Sequence, residues 1–161
     1  IADIKEDKSF NFEDTNILFI GAGASAESIL YKVAQEKPRH ISIMNRTEEK
    51  ADRLIRKFSN ISSIDNAKDS SCNFDLIINC SSAGLTGDFE PVQEICVTEN
   101  AFFYDLNYSL NGTSFCNWAE NISENSYDGT GMLIAQAALS FYEWFGVMPD
   151  TKKIANEISD L

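Results

Sequence analysis

Apolar and polar positions recur along this chain with two periods, and the switches between them mark the elements. Residues 16–20, "NILFI", form a short apolar run that ends at glycine, and residues 25–35 then place Ile29, Leu30 and Val33 at helical spacing. Pro38 stops that helix, "HISIMN" reads as a second strand, and "TEEKADRLIRKF" predicts a helix with Ala51, Leu54, Ile55 and Phe58 on one face and Thr47 as its cap. Together these make a βαβ unit. A weaker strand is expected at residues 61–64, ahead of the polar stretch "DNAKDSS". "FDLIINC" and "AFFYDL" are continuous apolar runs, as strands buried on both faces of a parallel sheet require, and Gly84, Gly87 and Pro91 mark the long loop between them.

The end of the chain changes character. "GMLIAQAALSFYEWFGV" carries Met132, Leu133, Ala137, Leu139, Phe141 and Trp144 nearly all round a helix, so that helix calls for cover on several sides. Gly146 and Pro149 end it, and "TKKIANEISDL" predicts a last amphipathic helix. Alternation of this kind implies an α/β domain built on a mostly parallel sheet.

Composition bounds the picture. With 161 residues, 43% of them hydrophobic, and no linker rich in proline, glycine or serine, residues 1–161 are expected to form one domain. A net charge of -12 repels polyanions, so neither nucleic acid nor an anionic membrane surface is an expected partner. Eight of the 13 basic side chains lie between Lys32 and Lys57, an island that reads equally as the solvated face of a helix or as an anion site. Cys72, Cys80, Cys96 and Cys116 form no C-x-x-C pair, and a single His40 gives no zinc cluster; reduced thiols in a cytoplasmic protein are the simplest expectation, with no metal. No signal-peptide pattern or apolar span is present, and the start at Ile1 suggests a fragment.

The candidate chemistry sits at the first turn. Gly21, Ala22, Gly23, Ala24, Ser25 and Ala26 fit G-x-G-x-x-[G/A] between a strand and a helix. A tight turn alone would be a plain connection. In this position, though, the first glycine permits the turn, the second lets a pyrophosphate approach the backbone, and the helix start offers free N–H groups to an anion. At the end of the second strand, where an NAD site would place a carboxylate for the ribose hydroxyl, the chain has Asn45, Arg46 and Thr47, with Lys50 one turn on. A guanidinium can fork onto a 2′-phosphate while its plane stacks on adenine, so the expected cofactor is NADP(H).

Several separated motifs then agree in order. "IGAGAS", "NRTEEKA", "IINCSSAGL", "YDLNY" with Thr113 beyond it, and "DGTGMLIAQAALSFYEWFGVMPD" resemble, in register, the NADP-binding half of shikimate dehydrogenase from about Asn16 onward. The resemblance implies a Rossmann-like three-layer α/β/α domain. It also implies Gly21 to Ser25 at the pyrophosphate, Asn45, Arg46, Thr47 and Lys50 at the adenosine phosphate, Ser81, Leu106 and Gly129 toward the nicotinamide, and Tyr108 and Gln136 on the substrate. Taken without it, Tyr108 is equally a strand-end aromatic with its hydroxyl in water. Gln136, an amide in an apolar helix, is either a ligand group or a buried amide bonded to neighbouring backbone, since leaving it unpaired would cost about 1–3 kcal/mol.

Departures from the family pattern are Ala24 for a third glycine, Glu27 where arginine is frequent, Ser81 for threonine, and Asn107 and Ser109 around Tyr108. A carboxylate at 27 weakens cofactor binding unless it points to solvent. The family's proton-handling lysine and aspartate and its serine pair belong to an N-terminal domain, and nothing ahead of Asn16 matches them; His40, at the far end of its strand from the glycine turn, reads as structural. The expectation is therefore an inactive, cofactor-binding part of an enzyme that reduces 3-dehydroshikimate to shikimate, whose apolar helix could drive self-association into a homodimer. Two other readings stay open: a stand-alone NADP-binding sensor or docking module, and a quinate dehydrogenase using NAD.

Overall fold

The computed structural model describes residues 1–83 and 87–159. After a π-helical turn at Asp3–Asp7 the elements run β1 (Asn16–Ile20), α1 (Ala24–Gln35), β2 (His40–Met44), α2 (Glu48–Phe58), β3 (Ile64–Asn66), a 3-10 turn at Ala67–Asp69, β4 (Phe74–Asn79), β5 (Val97–Asp105), α3 (Ser114–Ala119), β6 (Ser126–Tyr127), α4 (Thr130–Phe145) and α5 (Thr151–Ser159). The strands form one sheet in the order β3-β2-β1-β4-β5-β6, and every pairing is parallel. This is the Rossmann-like α/β arrangement. The sheet order reverses direction beside β1, so the carboxyl ends of β1 and β4 open the crevice in which such sheets hold ligands.

Strand alternation divides the core in two. Ile17, Phe19, Ile41, Ile43, Leu76 and Ile78 point to the face covered by Leu30 and Val33 of α1 and Leu54 and Phe58 of α2, together with Phe10 and Phe12 from the N-terminal segment. Leu18, Ile20, Met44, Ile77 and Phe103 point to the other, where Phe89 and Phe115 cover them. Both faces of β1 and β4 are thereby dry, which is why those strands read as unbroken apolar runs.

Several boundaries differ from the sequence expectation. The third strand lies at Ile64–Asn66, where Asp65 accepts a 2.7 Å hydrogen bond from the Ser42 hydroxyl and pairs with His40 at 2.9 Å. Polar cross-strand bonds, invisible to hydrophobic periodicity, draw it there. His40 also meets the Ser63 hydroxyl at 2.8 Å and sits, as expected, at the strand end away from the glycine turn. β5 begins at Val97, four residues before the apolar run, and α3 and β6 were not foreseen. Thr47 occupies the N-cap of α2 without a capping hydrogen bond from its side chain. The turn expected at Gly84, and the last two residues of the final helix, lie outside the described residues.

α4 is the least covered element. Only Ile134 and Ala138 are buried on it, while Leu139, Phe141, Tyr142, Trp144 and Phe145 are exposed. Its first turn, in contrast, is held tightly. The carboxylate of Asp3, 6% exposed, accepts a hydrogen bond from the hydroxyl of Tyr104, whose oxygen in turn accepts the Met132 backbone N–H. A Cβ at Gly131 would fall 2.2 Å from that carboxylate, so only glycine fits there. Burial pushes the Tyr104 phenol well above its ordinary range, and the Asp3 partner adds to the shift, so it remains a donor at any pH the fold survives. Replacing Tyr104→Phe leaves a buried carboxylate and a helix N–H without this partner. The expected loss of about 1–3 kcal/mol is read from the urea midpoint at constant slope.

Candidate cofactor-binding site

The site begins with a close approach of backbone to backbone. Gly21, at φ +106°, ends β1, and a Cβ there would meet the carbonyl carbon of Cys80 and the amide nitrogen of Ser81 at 3.0 Å each. The Gly21 N–H donates to the Met44 carbonyl at 2.7 Å, and the Cys80 N–H donates to the Ile20 carbonyl at 2.7 Å. The tips of β1, β2 and β4 are thus drawn together. Gly23 caps α1 with no side chain on its surface and nothing within 4 Å of where a Cβ would project. The first turn of that helix therefore presents its N–H groups to open space, with the positive end of the helix dipole behind them.

Asn45 ties the two halves of the turn. Its side-chain oxygen accepts the Ala22 N–H at 3.1 Å, and its amide donates to the Thr47 carbonyl at 2.8 Å. This bond sets Arg46, Thr47 and Lys50 beside the glycine turn, all three exposed. No described residue forms an ion pair with Arg46 or Lys50, whereas Arg39, Lys57 and Lys68 are bound to Asp14, Glu27 and Glu48. Within the basic island, Arg39 and Lys57 are thus neutralised at the surface, while Arg46 and Lys50 form a cationic edge lining the cleft.

A polar network closes the other side. The Asn79 side-chain oxygen accepts the Ser81 N–H at 3.1 Å and its hydroxyl at 2.7 Å, while the Asn79 amide donates to Asp105 at 2.9 Å. Asp105, 1% exposed, also accepts the Asn107 N–H at 3.0 Å and its side-chain amide at 2.9 Å, and that amide reaches the Ser81 carbonyl at 3.0 Å. Burial raises the Asp105 pKa, opposed by these donors and by the Thr113 hydroxyl. Burial pushes the Cys80 thiol up beyond its ordinary range, and the charge of Asp105 adds to it.

These elements enclose a cleft of about 730 Å³ lined by Gly21, Ala22, Gly23, Ser25, Asn45, Arg46, Thr47, Lys50 and Ser81. Nine of the residues singled out from sequence therefore share one concavity. Ala24 faces a separate, open depression between α1 and α2, beside Glu27 and Lys57. Glu27 itself pairs with Lys57, so the carboxylate at that position is turned to the helix exterior and held by a cation. Leu106 and Gly129 meet beyond the end of β5: the Gly129 N–H donates to the Asn107 carbonyl at 2.8 Å, and a Cβ at Gly129 would sit 2.6 Å from the Leu106 carbonyl oxygen. Tyr108 is 54% exposed. Gln136 is exposed on α4, so of the two readings open for it the buried amide bonded to neighbouring backbone does not hold: among the described residues the helix lacks the cover its composition calls for.

Residues that sequence reasoning passed over are Asn79, Asp105 and Asn107, whose signal was a polar residue closing each of two apolar runs, and Phe89, Glu90, Pro91 and Val92, which line the cleft from the loop after β4. That cleft has the shape and donor set for a dinucleotide: a backbone cradle without side chains, a helix entrance, and an unpaired guanidinium.

Comparison with known proteins agrees with the geometry. Residues 3–105 match the family model described as Shikimate / quinate 5-dehydrogenase, and residues 129–158 match the Shikimate 5′-dehydrogenase C-terminal domain. The chain belongs to the shikimate dehydrogenase family. It is 36% identical over 160 residues to the shikimate dehydrogenase (NADP(+)) of Saccharophagus degradans, covering 93% of this chain and 58% of that protein. It is 38% identical over 145 residues to the corresponding protein of Vibrio atlanticus, covering 88% and 52%. A solved shikimate dehydrogenase in complex with NADP+ superposes with a TM-score of 0.74 at 28% identity, over 92% of this chain and 55% of that one. The chain thus spans between half and three fifths of the length of these family members.

One consequence concerns the thiols. All four cysteines are free, Cys96 is exposed, and Cys80 lies in the cleft wall with its thiol held neutral by burial. At pH 8, iodoacetamide is expected to modify Cys96 well before Cys80, as read by peptide mapping after brief labelling. Faster modification of Cys80 would contradict a thiol kept neutral by burial beside Asp105.

Proposed function

We propose that this chain is the NADP(H)-binding portion of a shikimate dehydrogenase. The observation that carries the reading is Arg46, an exposed guanidinium without an acidic partner among the described residues, set beside the glycine turn where a carboxylate would favour NAD. In this reading the backbone from Gly21 to Ser25 and the α1 entrance hold the pyrophosphate. Arg46, Thr47 and Lys50 hold the 2′-phosphate, Asn45 holds the turn that presents them, and Ser81, Leu106 and Gly129 border the nicotinamide. NADPH bound there would supply a hydride to a carbonyl carbon.

The relatives are NADP(+) shikimate dehydrogenases by name, which supports the cofactor assignment, and the free cationic edge supports it independently. For the whole protein, the reaction would be reduction of 3-dehydroshikimate to shikimate, on the route to chorismate and the aromatic amino acids. Tyr108 and Gln136, both exposed, would meet the substrate from this side. Asn79, Asp105 and Asn107 are committed to one another and leave no proton donor among them. The proton-handling lysine and aspartate therefore belong, in this proposal, to the part of the relatives' length that the chain does not span. That part would also cover the α4 face on which Trp144 is 76% and Phe145 64% exposed. The chain by itself is expected to bind cofactor and to turn nothing over.

The test is Arg46→Ala, followed by calorimetric titration with both coenzymes. Loss of a charge-assisted contact to phosphate is expected to weaken NADP+ by about 1.5–3 kcal/mol, roughly ten- to a hundredfold, and to leave NAD+ nearly unchanged. Equal effects on both coenzymes would remove the basis for the assignment.

A further inference from the structure

A chain of contacts links the N-terminal turn to the wall of the cofactor cleft. Asp3 and Asp105 are the two buried aspartates among the described residues. The Asp3 carboxylate accepts the Tyr104 hydroxyl, whose oxygen accepts the N–H of Met132 in the first turn of α4. Asp3 also lies against Gly131, the second residue of that helix, where no Cβ would fit. At the N-cap of α4 the Gly129 N–H donates to the Asn107 carbonyl at 2.8 Å, and Asn107 lines the cleft. Asp128 ties the same turn from outside, accepting the Thr130 N–H at 3.0 Å and the Ser109 N–H at 3.2 Å.

The placement of α4 depends on these bonds more than on packing, since Ile134 and Ala138 alone are buried along its 16 residues. Burying a carboxylate costs more than burying an apolar side chain of similar volume, so a purely structural tie would be met more cheaply without charge. What the carboxylate adds is direction. It orients the Tyr104 hydroxyl as a donor, so that the oxygen is left to receive the Met132 N–H, and it lies at the positive end of the helix dipole. The two helix entrances at this edge of the sheet therefore differ: α1 leaves its N–H groups open to a ligand, whereas Asp128 and Tyr104 take up those of Thr130 and Met132. The α4 entrance is a fixed backbone platform.

We propose that Asp3 is a positioning residue for the nicotinamide end of the dinucleotide, acting through the Tyr104 hydroxyl to set the first turn of α4 and with it the Gly129–Asn107 contact at the cleft wall. This rests on the proposed cofactor reading and deepens it. β5, which carries Tyr104, stands three strand spacings from β2, about 14 Å across the sheet, so the effect is confined to one end of the cofactor and spares the Arg46 end.

The test titrates the unaltered chain, Asp3→Ala, Asp3→Asn and Tyr104→Phe with NADPH and with adenosine 2′,5′-bisphosphate, which lacks the nicotinamide half. Asp3→Ala is expected to weaken NADPH about three- to tenfold, the scale of one lost hydrogen bond, and to leave the bisphosphate unchanged. Tyr104→Phe, which keeps the ring in place and removes the hydroxyl, should show the same selective loss, and serves where Asp3→Ala does not fold. Asp3→Asn, whose amide oxygen still accepts the hydroxyl, should restore NADPH affinity. The emission of bound NADPH, which reports the surroundings of the dihydronicotinamide ring, should shift toward that of the free coenzyme in Asp3→Ala alone of the two Asp3 variants. A loss shared equally by the bisphosphate, or unaltered NADPH affinity in Asp3→Ala and Tyr104→Phe, overturns the positioning role and leaves the cofactor reading standing. Failure of the unaltered chain to bind either ligand overturns both.

Discussion

Everything at the carboxyl edge of this sheet depends on how closely two backbones approach at Gly21. With no Cβ in the way, the Cys80–Ser81 peptide comes within 3.0 Å of where a side chain would stand, and β1 and β4 stay paired to their last residues. That contact brings the entrance of α1, the Asn45 bridge and the Ser81 loop around one volume. A larger residue at 21 would be strained twice over, by φ +106° and by the neighbouring peptide. The cleft is therefore a consequence of backbone packing before any side chain contributes specificity.

Specificity is added by charge placed on that frame. Two basic side chains of the island between 32 and 57 are neutralised locally, Arg39 by Asp14 and Lys57 by Glu27. The Glu27 pair is the more telling of the two, since a carboxylate near a pyrophosphate would oppose binding, and here a cation on the neighbouring helix holds it outside the cleft. On the opposite flank, the buried Asp105 gathers donors from Asn79, Asn107 and Thr113, and so fixes the loop that carries Ser81. Polar groups at the strand tips are spent on rigidity, and the free hydrogen-bonding capacity is left to the glycine turn and the β2 tip.

Much of this was legible in the sequence, for a physical reason. The βαβ unit announces itself through local periodicity, and β1, β2 and α2 lie where the apolar pattern puts them. The glycine turn and Arg46 could be read because their chemistry depends on backbone geometry and position within that unit. What escaped depends on tertiary partners. β6, two residues long, has no period to detect, and β3 is set by Ser42 and His40 reaching Asp65. The exposure of Gln136 was not legible because apolar composition all round α4 implied cover that the described residues do not supply. Phe89 to Val92 looked like an ordinary loop, since only the fold brings it opposite a motif more than forty positions away.

An unpaired guanidinium beside an amide-lined helix entrance selects, in the proposed reading, the coenzyme bearing the extra phosphate. The most direct test of that selection is titration of the unaltered chain with NADP+ and NAD+ at low and at physiological salt. The account predicts that NADP+ binds more tightly by at least about tenfold at low salt, and that the gap narrows as salt screens the exposed cations. Equal affinity for the two coenzymes at low salt would contradict it.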